Sequence, residues 1–241
     1  MIRTRSRLLG MLTGILAATL TSLLLAGTAL ADTATPEEPV SPNASAIDDI
    51  YLVILGATIT IFVLVGGFLL YSAIRFRARP GDPDPPQMHG STKLELGWTI
   101  VPVLIVIGIA GYTLYKLPTV NDVPKDPMKV HVLAQQFTWS FAYPDGAKPK
   151  STAANTLFVP AGTAVELVIN SKDVIHDWWV PELGQKVDAI PGRTTTTWFR
   201  AAEPGIYEGQ CAEFCGSGHA TMTITVKVLT EEKYNQMMES T

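Results

Sequence analysis

Residues 211–222 read CAEFCGSGHATM and hold both cysteines of the chain, one of its four histidines and a methionine. Thiolate and thioether are soft donors that select copper over hard cations, and imidazole suits copper as well. A disulfide between Cys211 and Cys215 would close so small a loop that it would constrain the unfolded chain little. It would also leave His219 and Met222 without a role. Zinc accepts Cys-x3-Cys-x3-His spacing but rarely a thioether. A mononuclear copper site of one Cys, two His and a weak Met uses only one of the two thiols. Two thiolates in one loop can instead bridge two copper ions, each of which then needs one more strong ligand. His219 supplies one. The natural second is His176 in SKDVIHDWWVP, expected in a loop beside two tryptophans. His131 falls inside an expected strand, where a packed or solvated role suits it better.

The elements that must position these donors begin with membrane segments. Arg3, Arg5 and Arg7 precede an apolar run and an Ala29-Leu30-Ala31 cleavage pattern, so residues 1–31 read as a signal peptide. Residues 32–48, rich in Pro, Glu, Ala and Thr, are expected to be mobile. Residues 50–74 and 96–115 are uncharged and long enough to cross a bilayer. Helices are expected at about 50–75 and 95–116, in a hairpin spanning residues 49–117. Pro102 lies near the expected start of the second, where its missing N–H costs little. Arg75, Arg77, Arg79 and Lys93 fall between the spans, which marks that loop as cytoplasmic and puts its His89 out of reach of the donors. The remainder, residues 118–241, then lies on the exported, periplasmic or extracellular face of the membrane.

That outer domain carries 14 acidic and 10 basic side chains from residue 117 onward, a balance that argues against a nucleic-acid partner. Strand patterns recur at residues 129–143, 156–159, 165–169, 194–199, 206–210 and 222–228, separated by Gly, Pro and Asp turns. A short helix is expected at 231–238. Such spacing predicts an all-β sandwich or barrel.

The Cys-x-Glu-x-Cys-x3-His-x2-Met signature and the stretch DVIHDWWVPELGQKVDAIPGR resemble the subunit II family of cytochrome c oxidases. The resemblance extends over essentially the whole chain after the signal peptide. It implies a two-helix transmembrane hairpin followed by a cupredoxin-like sandwich with a binuclear copper A centre. Cys211 and Cys215 would bridge two coppers. His176 and His219 would complete one each, Met222 would be a weaker ligand, and Glu213 would offer its backbone carbonyl. The Glu213 side chain would reach a magnesium or manganese ion shared with subunit I. LELGWTIVP resembles the segment whose glutamate, here Glu95, stands at the entrance of a proton pathway, although a charge that merely ends the span is the plainer reading.

The implied function is electron input. Cytochrome c would dock on the outer domain, and electrons would pass to haem in subunit I, where oxygen is reduced and protons are pumped. The chain would not be active alone, and its partners would be subunit I, other subunits, cytochrome c and membrane lipid. QFTWSFAY resembles the family's aromatic segment at Trp139 and Tyr143, which would place electron entry at Phe137 and Trp139, but Phe137 stands where many members have the Trp proposed to accept electrons, and Ala142 where many have a Glu used in docking. Asp173 and Asp188 are candidate docking carboxylates, with Glu182 and Glu208 behind them. Asp173 could equally serve to turn the chain before His176. The alternatives are a quinol-oxidase-type subunit II, which lacks the copper ligands, and a membrane-anchored copper carrier. Nitrous oxide reductase needs a propeller domain for which 241 residues leave no room.

Overall fold

The computed structural model describes residues 38–78, 81, 83, 87, 90–150 and 154–239. The expected signal peptide, most of the segment before the first helix, Arg79 and His89 lie outside these. The chain divides into two units, Met1–Glu38 and Pro39–Thr241, and the architecture described is that of the second.

Helix α1 (Pro42–Arg75) packs antiparallel against α2 (Thr92–Asn121). At 1.5 Å per residue they are about 50 and 45 Å long, more than the roughly 30 Å of a hydrocarbon core. Their large apolar side chains point outward, Phe62 being 76% exposed and Phe68 67%. Helices so apolar suit lipid, because a helix satisfies most of its backbone groups within itself. Lys116 Nζ meets Asp49 Oδ2 at 2.5 Å and ties one helix to the other.

Both helices run further than expected at their outer ends. Ser41, Asn43, Ala44, Ala46 and Val120 are buried there. Residues 42–48, expected to be mobile, are ordered helix. Hydropathy marks only the length of helix that meets lipid, and these turns meet protein. The early start at Thr92 also moves Pro102 away from the helix end and into its interior. Membrane helices tolerate such a proline because neighbouring groups re-satisfy the freed carbonyl.

The outer domain holds β1 (Met128–Gln135), β2 (Thr138–Ala142), β3 (Lys148–Pro149), β4 (Thr156–Pro160), β5 (Val165–Ser171), β6 (His176–Trp179), β7 (Val187–Ala189), β8 (Thr195–Phe199), β9 (Gly205–Cys211), β10 (Thr223–Leu229), α3 (Glu231–Met237) and β11 (Met238–Glu239). One sheet has the order β2-β1-β5-β8, a second β4-β10-β9-β6-β7, and β11 pairs with β3. The alternating strands aim one face inward. Val130, Val132, Val165, Leu167 and Ile169 from the first sheet meet Ile224, Val226 and Val228 from the second. Each such side chain contributes about 1.5–3 kcal/mol on burial. Across the two sheets, the Phe158 amide donates to Tyr143 Oη at 2.8 Å, and burial pushes that phenol up to about 12. The described residues thus form a two-helix hairpin followed by a cupredoxin-like sandwich.

Two local expectations need correction. The run at 129–143 is not one strand but the hairpin β1–β2, turning at Gln136-Phe137, whose peptide bond is cis. No Gly, Asn or Pro marks that turn. His176 is not in a loop: it opens β6, paired with Ala189 of β7.

Candidate metal centre

Strand β9 ends at Cys211, β10 starts at Thr223, and the donor loop hangs between them. The Cys211 amide donates to Met222 O at 2.9 Å, which closes the loop at its neck. Within it, amide bonds from His219 to Gly216 O, Thr221 to Gly218 O and Met222 to His219 O form one tight turn. Cys211 pairs with Trp178 of β6, and the Ala212 amide donates to Asp177 O at 3.1 Å. This pairing brings His176, remote in sequence, beside the thiols.

The donor atoms converge in two overlapping sets. Cys211 Sγ lies 3.9 Å from His176 Nδ1 and 3.3 Å from Glu213 O. Cys215 Sγ lies 3.7 Å from His219 Nδ1 and 3.8 Å from Met222 Sδ. The two sulfurs are 3.8 Å apart, and both thiols are free. A disulfide needs about 2.05 Å. A metal bound at about 2.0 Å by nitrogen and 2.3 Å by sulfur holds two such donors roughly 3.5–4 Å apart. Soft donors at these separations therefore fit a soft metal. Among the described residues, the ligand atoms of His176, Cys211 and Cys215 all lie within 4.8 Å of one another.

The surroundings prepare these donors. His176, Cys211, Cys215 and Met222 are buried, while His219 is half-buried. Burial and the adjacent Cys211 thiol push Cys215 up to about 11, so a metal that binds as thiolate must displace a proton. His176 Nε2 is 2.9 Å from Asp173 Oδ1. A proton on Nε2 makes that bond and leaves the Nδ1 lone pair facing the sulfurs, the usual way a carboxylate fixes a ligand tautomer. Burial opposes ionisation of Asp173, but hydrogen bonds from the Gln136 amide, the His176 ring and the Val174 amide outweigh it and draw the carboxyl down to about 2. Asp173 therefore turns the chain and holds His176. Any docking role would share that carboxylate.

Gln136 is a residue the sequence reading missed. Its backbone N–H donates to Asp173 Oδ2 at 2.7 Å and its side-chain amide to Cys215 O at 2.6 Å, so it joins the supports of the two donor sets. Next to it, the half-buried Phe137 ring lies over the loop. A Cβ on Gly218 would fall 2.5 Å from Phe137 Cδ2. Gly216, at φ +134°, adopts a backbone that glycine favours. The pattern CGSG was the available signal.

The remaining candidates are scattered. Trp139 is buried, with its ring centroid 6.1 Å from His176 and 5.5 Å from Trp178. Glu213 is exposed on the loop, and Glu208 is exposed on β9. Asp188, exposed on β7, stands opposite Asp177. Burial first, then the hydrogen bond and charge of Asp188, raise Asp177 to about 7. Glu95 is exposed in the first turn of α2, where a carboxylate also complements the helix dipole.

Comparison with known proteins follows the same division of the chain. Residues 28–115 match the family described as cytochrome c oxidase subunit II, transmembrane domain, and residues 145–229 the corresponding periplasmic domain. Cytochrome c oxidase subunit 2 of Alkalihalophilus pseudofirmus is 33% identical over 90% of this chain and 65% of its own length. The chain thus spans just under two thirds of that relative. Cytochrome c oxidase subunit 2 of Cereibacter sphaeroides is 34% identical over 83% of this chain and 77% of its own. Quinol oxidase subunit 2 of Bacillus cereus is 32% identical over 83% and 70%. With its two apolar helices, its outer domain on the periplasmic side and its His-Cys-Cys group, the chain belongs to the cytochrome c oxidase subunit II family.

Proposed function

We propose that this chain is the electron-input subunit of a haem–copper oxidase, taking electrons from cytochrome c and passing them to haem in subunit I. The observation that supports this reading is the double donor set around Cys211 and Cys215. The two sulfurs, one in each set, lie 3.8 Å apart, which suits a pair of coppers that both thiolates would hold. His176 and Glu213 O would serve one copper, His219 and Met222 the other. Such a pair, when bound, takes up and releases one electron at a time. The protein's part is to hold the donors so that geometry changes little between oxidation states. Asp173 orients His176, Gln136 fixes the Cys215 backbone, and Phe137 excludes water from one side of the loop.

Further assignments rest on the family resemblance. The Glu213 side chain would reach a magnesium or manganese ion shared with subunit I. Glu95 would admit protons from the cytoplasmic side. Phe137 and Trp139 would line the route of electron input, and Asp173 and Asp188 would face cytochrome c. The quinol-oxidase reading has a relative in its favour at 32% identity, but it leaves six converging donors without a role. Metal analysis of the purified complex decides the matter. Two coppers per chain with electron spin shared over two nuclei are expected, and Cys211→Ser abolishes both that signal and cytochrome c oxidation. One copper per chain, or none, would sink the reading.

A further inference from the structure

The outer turns of the hairpin hold an unusual cluster. Ser41 and Asn43 are polar, yet they are 1% and 0% exposed at the head of a helix whose later turns are bare. Polar groups buried to this degree are retained only with their hydrogen bonds made. Asn43 Nδ2 donates to Trp198 O at 2.7 Å, and Ser41 Oγ donates to Asn43 Oδ1. The Arg200 amide donates to Ser41 Oγ at 3.0 Å, and the Val40 amide to Glu182 O at 3.0 Å. Gly184 makes the seat, since a Cβ there would fall 2.4 Å from Asn43 Nδ2.

The same Trp198 also holds the other helix. Its indole Nε1 donates to Val120 O at 3.1 Å, one of the last carbonyls of α2, which have no partner within the helix. One residue of β8 thus takes a bond from the head of α1 with its carbonyl and gives one to the end of α2 with its ring. The covalent link from α2 to the outer domain is residues 122–127, which form neither helix nor strand. On the domain side, Glu182 and Gly184 follow directly on β6, the strand that opens with His176.

We propose that Asn43, with Ser41 and Trp198, forms a positioning joint that fixes the metal-bearing domain against the membrane hairpin. Resting on the function proposed above, the joint sets the distance over which electrons leave the centre for a haem in the membrane. Neither Asn43 nor Trp198 touches a metal donor, so they act through the orientation of the whole domain.

The test uses the assembled oxidase with Asn43→Leu, which keeps the side-chain size and removes the donor. Electron transfer from copper to haem should slow at least about tenfold, since a misplacement of about 1 Å can cost as much as about a hundredfold. Copper content and spin signal should stay unchanged, and exchange of the Arg200 amide hydrogen should quicken about tenfold as the joint opens. Unchanged transfer, unchanged exchange or an altered copper signal would each overturn the joint. If Asn43→Leu does not assemble, two glycines inserted between residues 123 and 124 decide it. With the joint intact, transfer stays within about twofold of the parent, whereas a tenfold loss would mean that the linker sets the geometry. A parent complex without copper would defeat the proposed function instead. The exchange of the Arg200 amide would still report on the joint by itself.

Discussion

The two histidines of the centre are held in opposite ways. His176 opens a β-strand, is fully buried, presses against Trp139 and gives its outer nitrogen to Asp173. His219 sits on a single turn of a loop, half-buried, with its Nδ1 3.7 Å from Cys215 Sγ and the exposed Phe214 ring beside it at 5.8 Å. One half of the donor set is built into the sandwich; the other is attached to its rim. The difference teaches where rigidity comes from. A ligand on a strand inherits its place from the sheet register, while a ligand on a loop depends on the few bonds that close the loop.

The largest expected break in this comparison is at Asp173. Asp173→Ala frees the His176 ring to rotate and to change tautomer. Copper affinity, measured by competition with a chelator, should fall about 10–100-fold, the usual loss when a ligand's hydrogen-bond partner is removed. The same carboxyl predicts an acid response of the metal-free chain. Its pKa lies at about 2 in the folded state, below the roughly 3.9 of an unfolded aspartate. The folded state therefore prefers the ionised form. The stability it lends is complete above the unfolded value and is lost as pH falls through the folded one. Acid unfolding of the parent should show an added loss between about pH 4 and 2 that Asp173→Asn lacks. Matching acid curves would mean that the carboxylate does not support His176.

A smaller effect is expected on the loop half from Gly218→Ala. The added methyl would meet the Phe137 ring at 2.5 Å, and the ring must yield. Overpacking of this kind costs about 1–3 kcal/mol, which thermal unfolding of the copper-loaded chain would register. Because Phe137 covers the loop and not β6, the metal-binding loss should be smaller than with Asp173→Ala. A larger loss would reverse the ranking of the two halves.

The same contrast explains what could be read from the chain. The loop donors were legible because Cys211, Glu213, Cys215, His219 and Met222 are contiguous, and their chemistry requires no fold. The spans were legible because lipid imposes length and apolarity residue by residue. The supports of the built-in half were not. Gln136 reaches Asp173 and Cys215 only after an unmarked turn folds back, and that turn holds none of the residues that announce turns. Asn43 looked like a polar residue in a mobile segment, because hydropathy registers contact with lipid and is blind to contact with a domain more than 150 residues away along the chain. His176 was identified as a donor but misplaced in a loop. The strand that holds it is four residues long, and its pairing with β7 and β9 is settled by partners distant in sequence.

The smallest effect expected is the sharpest discriminator. Phe214 is 77% exposed and meets the His219 ring in a T-shaped contact, the centroids 5.8 Å apart. If the loop half is held by its own closing bonds, Phe214→Ala removes nothing that positions a donor. Thermal stability should then stay within about 0.5 kcal/mol, as for surface substitutions generally, and chelator competition should match the parent. A loss as large as that from Asp173→Ala would mean that Phe214 orients His219 as Asp173 orients His176. The rim would then be as rigidly built as the strand, and the two halves of the centre would not differ.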